Sequence, residues 1–199
     1  MQDFKYRPLA ALISGGTVAV VDFLVAGLDF YVNGAASFLG SLPLYLIVLW
    51  VVFVFLFKPS VKVTKDLISI TNPFRFIQIS ISDVVDIETK RGLVLKTKAG
   101  VFPVAVGVAP GRYTVARANK SDFKWAGSSP GKDEFVVSPS DILDSDSGAV
   151  AYVIRQQIKR FQEGKSGSSV SSRPFVKTDY LSIVVGAALG IGTLVQIVA

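Results

Sequence analysis

The chain has 199 residues, a formal net charge of +6 and a mean hydropathy of +0.49 with 18% charged side chains. That is too apolar for a wholly soluble protein, and long enough for one ordinary domain plus a few helices. Cysteine and histidine are both absent, which removes disulfides, thiolate and imidazole nucleophiles, His-based acid–base pairs and zinc sites with N or S ligands.

The 21 Lys and Arg residues are unevenly placed: Lys5 and Arg7, then none until Lys58, and none after Lys177. Such a partition separates membrane segments from aqueous ones. It also orients them, because basic residues are retained on the cytoplasmic side. The positive charge is therefore read as topology and headgroup attraction. No element alternates Arg with aromatics as a nucleic-acid surface does, so no nucleic-acid partner is expected.

Met1–Pro8 is a short basic flank expected to stay inside. Leu9–Phe30 follows as a first candidate span. A cleaved signal peptide shares its basic start and apolar run, but this run is too long, carries Asp22 and Asp29, and lacks a small-x-small cleavage site. Tyr31–Ser37 reads as a tight outer turn broken at Asn33-Gly34. The second span covers residues 38–57 and contains Leu42–Phe57 (LPLYLIVLWVVFVFLF), sixteen residues without a charge. Counted from Phe38 it reaches about 30 Å as a helix, the thickness of a bilayer's hydrocarbon. Lys58 would reach back to the headgroups, and Pro59 ends the helix. Residues 1–58 are thus expected to form a transmembrane helical hairpin.

Asp22 is the most informative residue of that hairpin. It lies about 20 Å into the first span, where an ionised carboxylate costs at least ~2.5–3.5 kcal/mol. Gly15, Ala19 and Ala26 share its helical face, a small and acidic stripe suited to a helix–helix contact. Three readings fit the residues: a protonated Asp22 hydrogen-bonded within the bundle, an Asp22 meeting a polar or basic group of a partner subunit, or a proton or ion relay. Asp29 falls on the same face near the outer boundary, within reach of water.

From Ser60 the apolar period changes to two. Val61–Thr64, Leu67–Thr71, Phe76–Ser82, Val84–Thr89, Leu93–Lys98 and Val101–Val106 read as a meander of half-buried antiparallel strands joined by tight turns. Residues 107–132 are mostly loop-like, with Arg112–Ala116 and Phe135–Val137 as further strands. Asp83, Asp86 and Glu88 occupy alternating positions, which reads as a solvated edge rather than a catalytic group.

Ser147–Glu163 has helical spacing, with Val150, Val153, Ile154, Ile158 and Phe161 on one stripe, and would plug the open corner of the sheet. Residues 164–177 read as a flexible Gly/Ser-rich linker. Its Gly164-Lys165-Ser166 is no phosphate loop, because Lys159 stands where the leading glycine belongs. The last segment, 178–199, is a third span flanked by Arg173 and Lys177. Its Gly186 and Gly190 are spaced as a GxxxG that permits close helix contact, and its uncharged end is expected outside.

The stretch from Val63 to Val106 resembles the small bacterial pleckstrin-homology (PH) domains of actinobacterial membrane proteins. The likeness is carried by the strand Leu67–Asn72, the segment Ile79–Ile87 and the hairpin Gly92–Gly100. The resemblance implies a PH-like antiparallel β-barrel over residues 59–163, capped by its C-terminal amphipathic helix. It also implies a cytoplasmic module that docks to protein. The first hairpin offers only Lys62 and Lys65 beside Asp66, so the inositol-phosphate site of lipid-binding PH domains is not carried over.

The expected whole is an α+β, multi-pass membrane protein of the cell membrane, with N-terminus and PH-like domain cytoplasmic and C-terminus outside. Its expected role is that of a non-enzymatic scaffold or accessory subunit of a larger complex, such as an actinobacterial respiratory supercomplex, with no cofactor and no metal. Gly15, Ala19, Asp22, Ala26, Gly186 and Gly190 would contact partner helices. The alternative is a lipid sensor in which Lys58, Lys62, Lys65, Arg173 and Lys177 hold anionic headgroups.

Overall fold

The computed structural model describes residues 4–89, 92–106, 146–163 and 173–198. They form a mixed α+β structure divided into a sheet-bearing unit and a helical unit, the latter gathering residues 8–59, 73–75 and 178–199.

The sheet-bearing unit holds two antiparallel sheets. The first has five strands: β1 (Phe4–Tyr6), β2 (Ser60–Val63), β3 (Leu67–Thr71), β4 (Arg75–Ser80) and β8 (Phe175–Thr178), in the order β1-β2-β3-β4-β8. Its registers place Phe4, Val63, Ile68 and Ile79 in one cross-strand row and Tyr6, Val61, Ile70 and Ile77 in another. These rows are the buried face, with Ile68, Ile70, Ile79 and Val61 fully enclosed. Each buried Ile or Val contributes about 1.5–3 kcal/mol relative to exposure.

The second sheet pairs β5 (Val84–Glu88), β6 (Val94–Thr97) and β7 (Gly100–Pro103), in that order. Helix α2 (Asp146–Glu163) closes the shared core with Val150, Ala151, Ile154 and Ile158. Asn72 ties the two sheets, donating from Nδ2 to Pro103 O at 2.8 Å and accepting from Ala105 N at 2.8 Å.

Three expectations are corrected. The described strands make two sheets and not a closed barrel, because a 3-10 turn, Ile81–Asp83, takes the chain out of β4 before β5 begins. Within that turn Asp83 is buried, so it is no solvated edge. The segment read as linker ends in strand β8, an edge of the first sheet; its residues 164–172 lie outside the described residues. The strands expected at 112–116 and 135–137 also lie outside them. Strand β1 lies inside the basic flank, and its three residues are too few to show a period in the sequence.

The helical unit begins with α1 (Leu9–Val52), continues through a π-helical turn at Phe53–Phe57, and ends with α3 (Tyr180–Val198). The stretch Leu9–Phe57 is long and apolar enough to cross a membrane. Only Gly34 departs from helical geometry inside α1, at φ 83° and ψ 176°. Across it, Phe30 meets Phe38 edge-on, with ring centroids 5.8 Å apart. A Cβ on Gly15 would lie 2.9 Å from the Phe57 ring. A straight helix would hold residues 15 and 57 about 60 Å apart, so α1 doubles back into a first arm, before Gly34, and a second arm after it. The expected seven-residue turn is therefore helical except at one glycine.

That backbone conformation is open in practice only to glycine, and no atom lies within 4 Å of a Cβ placed there, so the penalty for a side chain is purely torsional. Gly34→Ala is expected to cost about 1–3 kcal/mol in thermal unfolding of the detergent-solubilised protein. Gly40→Ala, at an equally open helical position, should be neutral or slightly stabilising.

Candidate functional site

Small residues spaced along the first arm put one face of it in close contact. Gly15, Asp22 and Ala26 are buried and Ala19 is half-buried, whereas Val20, Phe23 and Leu24 between them, and Leu28 beyond, are exposed. The stripe expected to receive a partner helix thus meets the chain's own second arm at least at Gly15, which seats Phe57 and Leu56. Asp22 keeps only 9% of its surface exposed. Among the described residues its carboxylate has no hydrogen bond and no ion pair.

Asp29, two helical turns further, differs in its surroundings. It accepts from Asn33 Nδ2 at 2.8 Å, from Ser37 Oγ at 3.2 Å and from the Tyr45 hydroxyl at 3.1 Å. Its carboxylate therefore joins both arms next to the reversal. Sequence reasoning saw the position but not its partners, because Ser37 and Tyr45 lie 8 and 16 positions away and face it only once the chain has turned back.

The glycines of α3 rest on the second arm. Gly186 lies against the Trp50 indole, while a Cβ on Gly190 would lie 3.9 Å from Ile47 Cδ1 and one on Gly192 3.4 Å from Pro43 Cβ. The falling partner numbers show that α3 runs antiparallel to the second arm. In this chain its small face serves an internal contact.

The densest polar site is built on Lys58, where the π-helical turn ends with Lys58 N donating to Phe53 O at 2.9 Å. Its ammonium donates to Pro73 O at 2.6 Å, to Ser182 Oγ at 2.9 Å and to the Asp179 carboxylate, with which it forms a salt bridge. All three ammonium donors are thus used within the helical unit. Asp179 in turn caps α3, accepting from Ser182 N at 3.2 Å and Ser182 Oγ at 2.7 Å. Asp179 N donates to Phe74 O at 2.9 Å. The Phe74 ring packs on Trp50 and Phe55, with centroids 6.1 and 5.6 Å away. The Lys58 ammonium, followed by the Ser182 hydroxyl and amide, holds the Asp179 carboxyl well below the usual carboxylate range.

The other cations expected at headgroups are solvent-exposed. Lys62 is exposed on β2, Lys65 is exposed in the β2–β3 turn, and Arg173 and Lys177 are exposed before α3. In the second sheet, Lys96 bonds Glu88 at 2.7 Å and Asp86 at 3.5 Å, and the Glu88 hydrogen bond leads in raising the lysine above its ordinary range. These carboxylates are engaged in ion pairs. No group of three or more metal-ligating side chains occurs among the described residues. A scan against family models, a search of curated proteins and a search of solved structures each return no match.

Because the folded-state carboxyl of Asp179 is depressed, its contribution to stability is complete above the ordinary carboxylate pKa of about 3.9 and is lost as pH falls through that value toward the depressed one. Acid titration of unfolding in detergent should therefore be less steep for Asp179→Asn than for the wild type below about pH 4. At neutral pH, Lys58→Met and Asp179→Asn should each destabilise, and the double variant should lose less than their sum, with a coupling of about 1 kcal/mol or more.

Proposed function

We propose that this chain is a three-span integral membrane protein, its two α1 arms and α3 crossing the cell membrane, which serves as a non-enzymatic scaffold or accessory subunit of a larger membrane complex. The observation that carries the membrane reading is apolarity combined with exposure. Only 11% of the most apolar stretch of Leu9–Phe57 is buried. A core helix of a soluble protein would be enclosed. Here Phe23, Leu24, Leu28 and Phe30, and on α3 Leu181, Val184, Ile191 and Leu194, point outward. At 19 residues α3 is about 28 Å long, enough to cross with little tilt.

The subunit role is supported by Asp22. A buried carboxylate amid apolar helices, with no donor from its own chain among the described residues, is costly unless a donor comes from elsewhere. In this reading the sheet-bearing unit is a PH-like docking module on the cytoplasmic side. The resemblance to actinobacterial membrane proteins makes a respiratory supercomplex the first complex to examine.

The absence of native cysteine makes topology directly testable. In intact cells, Ala36→Cys, beside the reversal, should react with an impermeant maleimide. Ala99→Cys, in the exposed β6–β7 turn, should react only after the membrane is opened. The reverse pattern would overturn the orientation. Asp22→Leu should leave the protein resistant to carbonate extraction while reducing the partner that co-purifies in mild detergent; an unchanged partner yield would remove Asp22 from the interface.

A further inference from the structure

The first arm carries two carboxyl groups that differ in their supply of hydrogen-bond donors. Asp29, beside the reversal, takes hydrogens from Asn33, Ser37 and Tyr45. Asp22 stands midway along the arm, thirteen positions after Leu9 and twelve before Gly34, with 9% of its surface exposed. Its carboxylate has no hydrogen bond and no ion pair among the described residues.

What Asp22 faces follows from the contacts on either side of it. Seven positions earlier Gly15 seats Leu56 and Phe57, and seven positions later Asp29 meets Tyr45. The second arm opposite Asp22 is therefore drawn from residues 46–55, LIVLWVVFVF. Trp50 is the single hydrogen-bonding side chain in that run, and its indole rests on Gly186 of α3 without a hydrogen bond among the described residues. On α3, Ser182 is engaged by Lys58 and Asp179, and Thr193 Oγ1 donates to Leu189 O at 2.9 Å. On the first arm, Ser14 Oγ donates to Ala11 O at 3.2 Å and Thr17 Oγ1 to Ile13 O at 3.0 Å.

Acceptors are thus present at every turn, while no donor is committed to Asp22. Helix N–H groups are consumed by the helix itself, but each carbonyl keeps a second lone pair, and it is to carbonyls that Ser14, Thr17 and Thr193 turn. An ionised carboxylate accepts only, so this environment gives it nothing. A carboxylic acid has one O–H and can use the same carbonyls. The charges of the spans act in the same direction. Residues 8–57 contain no cation, Lys58 is bound by Asp179, and the Asp29 carboxylate lies about 10 Å along the same face. Tyr31 and Tyr45 are the other titratable groups of the two arms, with Asp179 and Tyr180 at the first turn of α3. With no positive group to offset it, a charge enclosed in this way is neutralised rather than kept.

We infer that Asp22 is a proton-binding site: in the chain by itself the side chain is the neutral carboxylic acid, its proton taken from water and its O–H donated to a helix carbonyl. This goes beyond the subunit role and rests on the membrane reading of the helices. A docking partner that brings a cation to Asp22 displaces the proton to water.

The test is the infrared spectrum of the full chain in mild detergent at neutral pH. Wild type minus Asp22→Asn should show the carbonyl stretch of a protonated carboxylic acid, above the amide band, and no loss of carboxylate bands. Asp29→Asn should keep that stretch and lose carboxylate intensity instead. If the amide variant fails to fold, Asp22→Ala, which matches Ala19 and Ala26 on the same face, gives the same difference. Thermal unfolding adds a second readout. The native state keeps a proton that the unfolded chain releases above about pH 3.9, so wild type should lose stability relative to Asp22→Asn as pH rises from there toward neutrality. Carboxylate bands in the Asp22 difference, or a gap that does not widen with pH, overturns the inference. Loss of the acid stretch in Asp29→Asn overturns its assignment to Asp22. Release of wild type by carbonate overturns the membrane reading, whereas carbonate resistance without the acid stretch overturns only the proton site.

Discussion

The helical unit is closed by one ammonium. Lys58 and Asp179 are 121 positions apart, yet they meet in a salt bridge that also engages Ser182 and the carbonyl of Pro73. The pair joins the residue that leaves α1 to the residue that caps α3. A charge with its donors used and its partner adjacent is tolerable near an apolar region, where an unpaired ammonium would not be.

The same economy of partners appears along the helices. Glycines and alanines line the faces that meet inside the unit, allowing Phe57 onto Gly15 and Trp50 onto Gly186, while branched and aromatic side chains face outward. In lipid, association of helices draws on close packing and a few hydrogen bonds rather than on burial of apolar surface. Asp29 follows this logic with three acceptor contacts spanning both arms. Asp22 departs from it, buried without a donor among the described residues, and that contrast between two carboxylates seven positions apart gives the proposed interface its location.

In the sheet-bearing unit the division of labour is by sheet. The first sheet combines an isoleucine- and valine-rich inner face with an outer row that holds Lys5 opposite Lys62. The second neutralises its own charges through Lys96. Asn72 holds the two together through both ends of its amide, so a residue suited to ending a strand also sets the relation between sheets.

What was legible in the sequence was whatever repeats locally. The absence of cations from the two apolar ends, the alternation through Val61–Thr71 and Phe76–Ile81, and the 3.6-residue stripe of α2 each follow from which side chains water accepts, and each is visible within a dozen residues. Asp22 and the glycines of α3 stood out for the same reason. The tertiary structure decided the rest. It recruited Phe4–Tyr6 and Phe175–Thr178, too short to show a period, to opposite edges of one sheet. It split the expected barrel at Ile81–Asp83, and it set the small faces of the first arm and of α3 against large side chains of the second arm, Phe57 and Trp50 among them. It also brought Lys58 to Asp179, a pairing no local pattern encodes, because side-chain periodicity fixes which face of an element is apolar while the path of the chain between elements fixes what that face meets.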